Sequence, residues 1–335
     1  MAEPPESDAG ELDVLSFGEV IVDFFPEEKG IPLRSAERFT RHLGGAPANV
    51  AVGLARLGVR SGLMSLVGAD EFGAFLVDGL AREGVDTRGV GTHRTARTGI
   101  TFVAVGPRGE RSFLFYRFPS ADLLVADHDV DPALVARARV LHCGSSTLSR
   151  EPARTATFKA LAAARAAGRV VSCDPNLRMH IWPDPSEGQA QLRAALAFTD
   201  IVKMSDDELP PVVGTADVEA GARALRELGV SLAIVTLGER GCYYDAAGAG
   251  TGWVRGLRVD VVDTTGAGDG FVAGLLTALM PAIRRGVRPA ELDRPTVEAA
   301  CALANRVAAR VVTRFGATAA LPTLRDLELR DVEEV

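Results

Sequence analysis

The chain has 335 residues, of which 47% are hydrophobic, and its formal net charge at pH 7 is −7. This length allows one large α/β domain or two smaller ones, and the negative charge argues against a nucleic-acid-binding surface or attraction to anionic membranes. The four cysteines form no CxxC pair, so the sequence indicates neither a zinc site nor a disulfide framework.

The two ends of the chain differ in character from the rest. Residues 1–11 are acidic, contain proline and lack an apolar stretch, which predicts a disordered tail and not a signal peptide. We predict a single domain over residues 12–325 and a C-terminal tail over 326–335. No apolar run is long enough to cross a bilayer, so we expect a cytoplasmic protein without a membrane partner.

The first half of the chain alternates between strand and helix patterns and then changes to a hairpin. Two alternating runs joined by a polar turn, 106–109, predict this β-hairpin, and together with the segment after the first strand it predicts a small β lid formed by about 24–42 and 96–120. The predicted elements are strands at 12–18 (continuing through 20–22), 62–67, 99–105 and 111–117, and helices at 46–57 and 72–83.

The second half alternates more regularly. Alternation of strands and helices implies an α/β fold with a mainly parallel central sheet covered by helices on both faces. Ligands in such folds bind beyond the carboxyl ends of the strands. The predicted elements are strands at 138–142, 169–173, 199–203 and 232–237, and helices at 152–167, 188–197, 218–228, 271–283 and 295–312.

The segment 263–270, D-T-T-G-A-G-D-G, is the most informative stretch of the chain. It lies between a β-rich run, 257–262, and an apolar helical run. A glycine-rich turn at a helix N-terminus leaves backbone N–H groups unpaired, and the helix dipole makes the turn an anion site. Asp263 and Asp269 flank it, and an anion site beside a carboxylate suits phosphoryl transfer. The sequence has no P-loop and no dinucleotide-binding motif.

Residues 44–51, G-G-A-P-A-N-V-A, resemble the first signature of the PfkB/ribokinase family of sugar kinases, and 263–270 resembles the second, D-T-x-G-A-G-D. The resemblance extends from about residue 14 to residue 321. It implies a ribokinase-like fold, ATP and Mg²⁺ as cofactors together with K⁺, and a small-molecule sugar as substrate. Members of this family often form homodimers through the β lid, which is the dimer we expect here.

The resemblance also implies a role for individual residues. Asp269 would be the catalytic base, and Gly266, Ala267 and Gly268 would form the catalytic turn before it. The three backbone N–H groups of Ala267, Gly268 and Asp269 would hold the γ-phosphoryl oxygens. Ser205 stands where the family usually has Asn. The implied sugar-binding residues are Asp23, Gly44, Gly45, Asn49, Tyr116, Arg117, Asn176, Arg178 and Asp269. The implied ATP-binding residues are Lys203, Ser205, Glu208, Thr236, Gly238, Gly241, Gly266, Gly268 and Asn305.

Two cation sites follow from the same resemblance. Glu208 would act on Mg²⁺ through ordered water. The segment 311–316 resembles a monovalent-cation loop, and Ala320 stands where some members of the family carry a ligating Ser. The implied K⁺ ligands are Asp263, Thr265 and the main-chain carbonyls of Val311, Arg314 and Gly316.

Several segments are most similar to the fructokinase subgroup, which predicts transfer of the γ-phosphate of Mg-ATP to fructose. These segments are 18–24, 44–49, 115–122, 174–178 and 203–209. Ala46 stands where ribokinases usually carry Lys, which argues against ribose. A 2-keto-3-deoxygluconate kinase is the alternative, since Arg117 and Arg178 could bind the carboxylate of that substrate. A non-catalytic sugar or nucleotide sensor would be favoured by loss of the base, and Asp269 is present.

Overall fold

The computed structural model describes residues 11–28, 30–105, 111–182 and 184–328. Residues 1–10 of the predicted tail and the hairpin turn at 106–109 lie outside the described residues, as do residues 329–335. A short helix runs from Leu324 to Glu328, across the predicted boundary at 325, and the domain limits stay a prediction.

The strands form two separate sheets. Hairpins join some consecutive strands, and crossover helices join others. The thirteen strands of the described residues are β1 (Leu12–Phe17), β2 (Ile21–Pro26), β3 (Phe39–Gly44), β4 (Ser61–Gly68), β5 (Asp86–His93), β6 (Ile100–Val105), β7 (Arg111–Tyr116), β8 (Ala138–Cys143), β9 (Val170–Cys173), β10 (Ile201–Ser205), β11 (Leu232–Thr236), β12 (Cys242–Ala246) and β13 (Gly250–Val254).

The helices lie between the strands and close the chain. The ten α-helices of the described residues are α1 (Ala46–Arg56), α2 (Glu71–Arg82), α3 (Pro132–Arg137), α4 (Ala153–Ala166), α5 (Pro185–Leu196), α6 (Leu209–Val213), α7 (Val218–Glu227), α8 (Ala267–Arg284), α9 (Arg294–Val312) and α10 (Leu324–Glu328). Among the described helices, none combines the length and the apolar character needed to cross a bilayer.

The large sheet has nine strands in the order β13-β12-β11-β10-β9-β8-β1-β4-β5. All neighbours pair in parallel except β11 with β12 and β12 with β13, which are antiparallel. Strand order reverses around β1, which has β8 on one side and β4 on the other. In open α/β sheets a ligand crevice forms beyond the carboxyl ends of the strands at such a reversal. The sheet therefore predicts a site just after β1.

Side chains that alternate along β1 bury apolar surface on both faces of the large sheet. Val14 joins a core cluster with α1, α8 and α9, whereas Leu15 and Phe17 join a cluster with α4, α5 and α7. A strand covered by helices on both faces needs apolar residues at successive positions, which explains the near-continuous apolar run of β1. The predicted α/β fold with helices on both faces is confirmed.

The small sheet has the order β3-β2-β6-β7 and forms the lid that the hairpin predicted. Phe24 stacks on Phe102 with ring centroids 5.3 Å apart and meets Phe72 of α2 edge-on at 5.6 Å. The first contact lies within the small sheet, and the second attaches the sheet to α2. The chain leaves the large sheet after Phe17 and enters the small one at Ile21, so the predicted extension of the first strand through 20–22 is wrong.

Other elements were missed or misread. β5 carries few apolar residues because it is an edge strand, and the β12–β13 hairpin adds an antiparallel edge to the parallel sheet. The β-rich run at 257–262 is not a strand, since it has only an isolated bridge at 257 and a bend at 262. Val259 and Val261 in this run line a cleft. This position explains why they are apolar although they belong to no sheet.

Helices α8 and α9 pack closely against each other. A substitution at their contact tests the packing that holds the N-terminus of α8. A Cβ added at Gly274 would lie 2.9 Å from the Cα of Ala304 and 2.9 Å from a methyl of Val307. We expect Gly274→Ala to lower the free energy of unfolding by about 1–3 kcal/mol, because overpacking outweighs the gain in helix propensity. Chemical denaturation measures this change.

Gly79→Ala in α2 is the matched control. Its added Cβ would meet only the flexible end of Leu43, at 3.3 Å. We expect the stability of this variant to be unchanged or slightly raised. Equal destabilisation by both substitutions would contradict the packing explanation.

Candidate active site

Two clefts meet above the carboxyl ends of the parallel strands. One, the polar cleft, is lined by β1–β2 residues, the lid and the loops after β8 and β9, and has a volume of about 180 Å³. The other, the apolar cleft, lies between the β11–β12 region and α9, with a volume of about 240 Å³. Thr264 and Gly268 line both clefts, so the D-T-T-G-A-G-D-G turn forms their common wall.

Asp269 lies in the first turn of α8, at the bottom of the polar cleft, with 6% of its surface exposed. Its Oδ2 accepts a hydrogen bond of 2.7 Å from Nδ2 of Asn49. The Oδ1 of Asn49 accepts a 2.6 Å hydrogen bond from the hydroxyl of Thr318, and that hydroxyl also donates to the carbonyl of Leu43. The Asn49 amide is therefore fixed in orientation, and it holds the carboxylate of Asp269 in one rotamer.

The surroundings of Asp269 keep its carboxyl ready to accept a proton near neutral pH. Burial is the largest influence and raises its pKa, and the nearby carboxylate of Asp174 raises it further. The Asn49 hydrogen bond and the charges of Lys203 and Arg178 act in the opposite direction, and the resulting pKa is about 7. A general base is most effective when its pKa lies near the working pH.

The turn that precedes Asp269 has the geometry of an anion site. Gly266 has φ +79°, a left-handed conformation that glycine adopts without strain. The N–H of Ala267 donates to the carbonyl of Thr264, and the N–H of Gly270 donates to Gly266. Within the described residues, the N–H groups of Gly268 and Asp269 have no such partner. The turn therefore offers two donors, whereas the sequence predicted three, because the N–H of Ala267 closes the turn.

A buried ion pair lies directly beneath this turn. The Nζ of Lys203 is 3.1 Å from Oδ2 of Asp174, and a Cβ added at Gly268 would lie 2.8 Å from that Nζ. Burial lowers the pKa of Lys203, but the carboxylates of Asp174 and Glu208 raise it more, so the amine stays charged. Lys203 lines neither cleft and instead supplies positive charge from below the glycine turn.

Ser205 and Glu208 also lie away from the surfaces of the two clefts. The backbone N–H and the hydroxyl of Ser205 each donate to Oε2 of Glu208 at 2.7 Å, and the N–H of Leu177 donates to Oε1. Glu208 thereby ties the loop after β9 to the loop after β10. Within the described residues, no group of three or more His, Cys, Asp or Glu side chains is arranged for a metal.

The lid contributes a buried arginine to the polar cleft. Arg117 is 4% exposed, and its guanidinium donates to the carboxylate of Asp122 and, at 3.0 Å, to the hydroxyl of Ser146. Ser120 also donates to Asp122, at 2.6 Å. Arg117 is therefore brought to the predicted site, but its charge is already matched by a carboxylate.

Tyr116 is a correction to the sequence prediction. Its side chain is 61% exposed and contacts Phe102 on the outer face of the lid, so it does not line the polar cleft. Successive residues of a strand point to opposite faces, and Arg117 points inward. Phe113 and Phe115 therefore line the cleft in its place. The alternation itself could have identified them from the sequence.

Asp23 and the glycine pair lie on the opposite wall of the polar cleft. Asp23 is 8% exposed, and its pKa is raised to about 7, chiefly by burial and against the opposing effect of Arg117. A Cβ added at Gly44 would lie 2.0 Å from the Asp23 carboxylate, so only glycine leaves room for that group. Gly45 lines the cleft, whereas Gly44 does not line it and leaves room for the Asp23 carboxylate.

The loop after β9 completes the polar cleft. Asn176 and Arg178 both line it, as predicted from the D-x-N-x-R pattern. Asn176 has φ +43°, and its N–H donates to Oδ1 of Asp174 at 3.1 Å. Arg178 is exposed, and its guanidinium donates to the carbonyl of Leu177. Asp174 was not predicted as a site residue, although it begins the same segment and holds both Asn176 and Lys203.

The apolar cleft contains the predicted nucleotide residues of the last central strand and α9. Thr236, Gly238, Gly241 and Asn305 all line it, among apolar side chains such as Phe271 and Val312. Asn305 is 8% exposed and donates from Nδ2 to the carbonyl of Arg255 at 2.9 Å. An apolar slot with a few fixed polar groups is the usual setting for a flat heterocycle.

Asp263 lies apart from Asp269 and joins the glycine turn to the 311–316 segment. It is 3% exposed; its Oδ1 accepts hydrogen bonds from the N–H and hydroxyl of Thr265, and its Oδ2 accepts one from the N–H of Gly316 at 2.9 Å. The carbonyl of Val311 accepts from the N–H of Arg314. The predicted grouping of Asp263 with this loop is present, and its oxygen-rich chemistry fits a hard cation.

The raised pKa of Asp269 can be tested through protein stability, without measuring enzyme activity. The unfolded carboxyl has a pKa of about 3.9, so its raised folded value of about 7 means that stability is lost as the pH rises through 7. Asp269→Asn removes this loss. We expect the difference in melting temperature between variant and wild type to grow from pH 5 to about pH 7 and to level off above it, since each pKa unit corresponds to about 1.4 kcal/mol.

The control for this measurement is Asp293→Asn, at the exposed N-cap of α9. The pKa of Asp293 is lowered by hydrogen bonds from Thr296, so its neutral replacement should give no stabilisation that grows with pH. A constant difference between Asp269→Asn and wild type from pH 5 to pH 8 would contradict the electrostatic account of Asp269.

The chain is similar to known proteins over most of its length. The chain is 39% identical over 317 residues to a probable fructokinase-4 of Arabidopsis thaliana, covering 94% of this chain and 95% of that protein. Among solved structures, it is similar to a fructokinase of Xylella fastidiosa with bound ATP (35% identity, TM-score 0.84, 94% of this chain and 96% of the other). It is also similar to a fructokinase of Vibrio cholerae with bound fructose, ADP and calcium ion (34% identity, TM-score 0.82, 95% and 98%).

A family model, that of the pfkB family carbohydrate kinases, matches residues 11–324. This match covers the large sheet, the lid and both signature segments. The chain therefore belongs to the pfkB family of carbohydrate kinases.

Proposed function

We propose that this chain is an ATP-dependent fructokinase, which transfers the γ-phosphoryl group of ATP to fructose and forms fructose 6-phosphate. The observation that carries the proposal is the position of Asp269: a buried carboxylate with a pKa of about 7, at the junction of a polar and an apolar cleft. The fructokinases similar to this chain, with ATP or with fructose and ADP bound, support this choice of substrates.

The protein takes part in few chemical steps of the reaction and mainly positions groups and stabilises charge. Asp269 accepts the proton of the attacking sugar hydroxyl, whose oxygen forms a bond to the γ-phosphorus while the bond from phosphorus to the β–γ bridging oxygen breaks and ADP leaves. The free N–H groups of Gly268 and Asp269, with the positive end of the α8 dipole, stabilise the transferring phosphoryl oxygens. Lys203, below the turn, adds a positive charge to the same region.

The sugar occupies the polar cleft in this proposal. Asp23, Asn49, Asn176 and Arg178 line it together with Gly45, and all are candidates to bind hydroxyl groups. The charge of Arg117 is paired with Asp122, which disfavours a sugar acid such as 2-keto-3-deoxygluconate. A non-catalytic sensor is disfavoured as well, because the base is present and held in place by Asn49.

The nucleotide occupies the apolar cleft. Thr236, Gly238, Gly241 and Asn305 line it, and the shared wall at Gly268 brings its far end to the phosphate-binding turn. ATP would be used with Mg²⁺, which neutralises phosphate charge in such reactions. Glu208 would influence this ion through water. K⁺ would be bound by Asp263, Thr265 and the carbonyls of Val311, Arg314 and Gly316, whose oxygen ligands suit a hard cation.

The lid is assigned two roles in this proposal, within a single kinase domain over residues 12–325. It covers the polar cleft with Phe113 and Phe115, which would exclude water from the reaction. Its outer face exposes Leu114 and Tyr116 on the edge strand β7, which is suited to pairing with a second copy in a homodimer. A cytoplasmic location remains a prediction.

An ADP-release assay over a panel of sugars tests the proposed function. The panel contains fructose, ribose, glucose and 2-keto-3-deoxygluconate, each with Mg-ATP and with or without K⁺. We expect the highest kcat/KM with fructose, because the buried Arg117 of the polar cleft is already paired with Asp122. Higher kcat/KM with 2-keto-3-deoxygluconate would overturn the choice of fructose.

Asp269→Asn is the control for this assay. It preserves the size of the side chain but removes the base, so turnover should fall by roughly 10²–10⁴-fold. ATP should still bind, because the apolar cleft is unchanged. Turnover close to that of the wild type would remove Asp269 from the catalytic role.

A further inference from the structure

Three buried oxygen atoms, which belong to residues that line the polar cleft, have no hydrogen-bond partner among the described residues. They are Oε2 of Glu19, Oγ1 of Thr101 and Oγ of Ser145. The three residues are 8%, 1% and 1% exposed, and all three line the cleft. A buried polar group without a partner costs about 1–3 kcal/mol. Three such groups around one cleft indicate that a bound molecule supplies their partners.

The three residues come from separate parts of the fold. Glu19 follows β1, where the strand order of the large sheet reverses, and Ser145 follows β8, the neighbour of β1. Thr101 lies on the lid, opposite Asp23 in the pairing of β2 with β6. The three oxygens therefore approach the cleft from the sheet and from the lid, as is needed to surround a small polyhydroxyl molecule.

Most other polar groups of the cleft already have partners inside the protein. Arg117 donates to Asp122 and Ser146, and Asn49 bonds to Asp269 and Thr318. Ser146 differs from Ser145 in this respect, since its hydroxyl accepts from Arg117. The unpartnered oxygens of Glu19, Thr101 and Ser145, together with the buried and unpartnered Nε of Arg117, are therefore available to substrate hydroxyls.

We propose that Glu19, Thr101 and Ser145 bind the hydroxyl groups of the sugar and determine the preference for an uncharged polyol. This inference rests on the proposed fructokinase function. Serine and threonine hydroxyls can donate or accept, which matches sugar hydroxyls that do both. None of the three residues carries a positive charge, so this wall offers nothing to the carboxylate of a sugar acid.

Steady-state kinetics of Thr101→Val, Ser145→Ala and Glu19→Gln tests the proposal. Each substitution nearly preserves volume and removes or weakens one binding oxygen. We expect the KM for fructose to rise about tenfold in each variant, which corresponds to about 1.4 kcal/mol. The KM for ATP should change less than twofold, because the three residues do not line the apolar cleft.

Ser16→Ala is the matched control. The hydroxyl of Ser16 is also buried and also lacks a partner, but it lies within β1 and does not line either cleft. Its KM for fructose should match that of the wild type. The unchanged KM for ATP shows that each variant is folded.

A set of deoxyfructoses sharpens the assignment. For a variant that lacks the partner of one hydroxyl, the analogue without that hydroxyl should bind as well as it does to the wild type, because the shared interaction is already lost. Unchanged fructose KM in all three variants, with a wild type active on fructose, would overturn this inference and leave the proposed function intact. A wild type inactive on fructose would overturn both.

Discussion

The hydrogen bond between Asn49 and Asp269 joins the two signature segments of the chain, which are 220 residues apart. It connects the N-terminal turn of α1 to the first turn of α8 and is itself fixed by Thr318, which also binds the β3 carbonyl of Leu43. Four parts of the fold, namely α1, α8, β3 and the segment that contains Thr318, must therefore be correctly placed relative to one another before the carboxylate of Asp269 is in position. This coupling explains why the site depends on the packing of α8 and on the turn before it.

The pKa values and the net charge of the polar cleft depend on the positions of its carboxylates. Glu19, Asp23 and Asp269 are buried around one cleft, and burial raises the pKa of each. The two buried cations are held by partners of their own, Arg117 by Asp122 and Lys203 by Asp174, whereas the exposed Arg178 donates to the carbonyl of Leu177. The result is a cleft that is polar but not strongly positive, which suits a neutral sugar, next to a helix N-terminus that suits phosphate.

The sequence predicted the parts of this protein that depend on local patterns. Helical and strand periodicity identified most of the sheet, and the glycine turn at 263–270 identified the anion site. β5 and β13 were missed because edge strands need little apolar alternation, and β12 was missed although it is an inner and mostly buried strand. Tyr116 was misassigned although strand alternation places it on the opposite face from Arg117. The partners of Asn49 and Arg117, namely Thr318 and Asp122, arise from tertiary packing that no local pattern contains.

The pH dependence of kcat/KM for fructose, in the wild type and in Asn49→Leu, tests the central role of Asp269 most directly. This quantity reports ionisations of the free enzyme and free substrate. The account predicts that activity in the wild type rises with a midpoint near pH 7 and that the midpoint moves to higher pH in Asn49→Leu, because the Asn49 hydrogen bond lowers the pKa of Asp269. An identical midpoint in both enzymes, or no ionisation between pH 5 and pH 8, would contradict it.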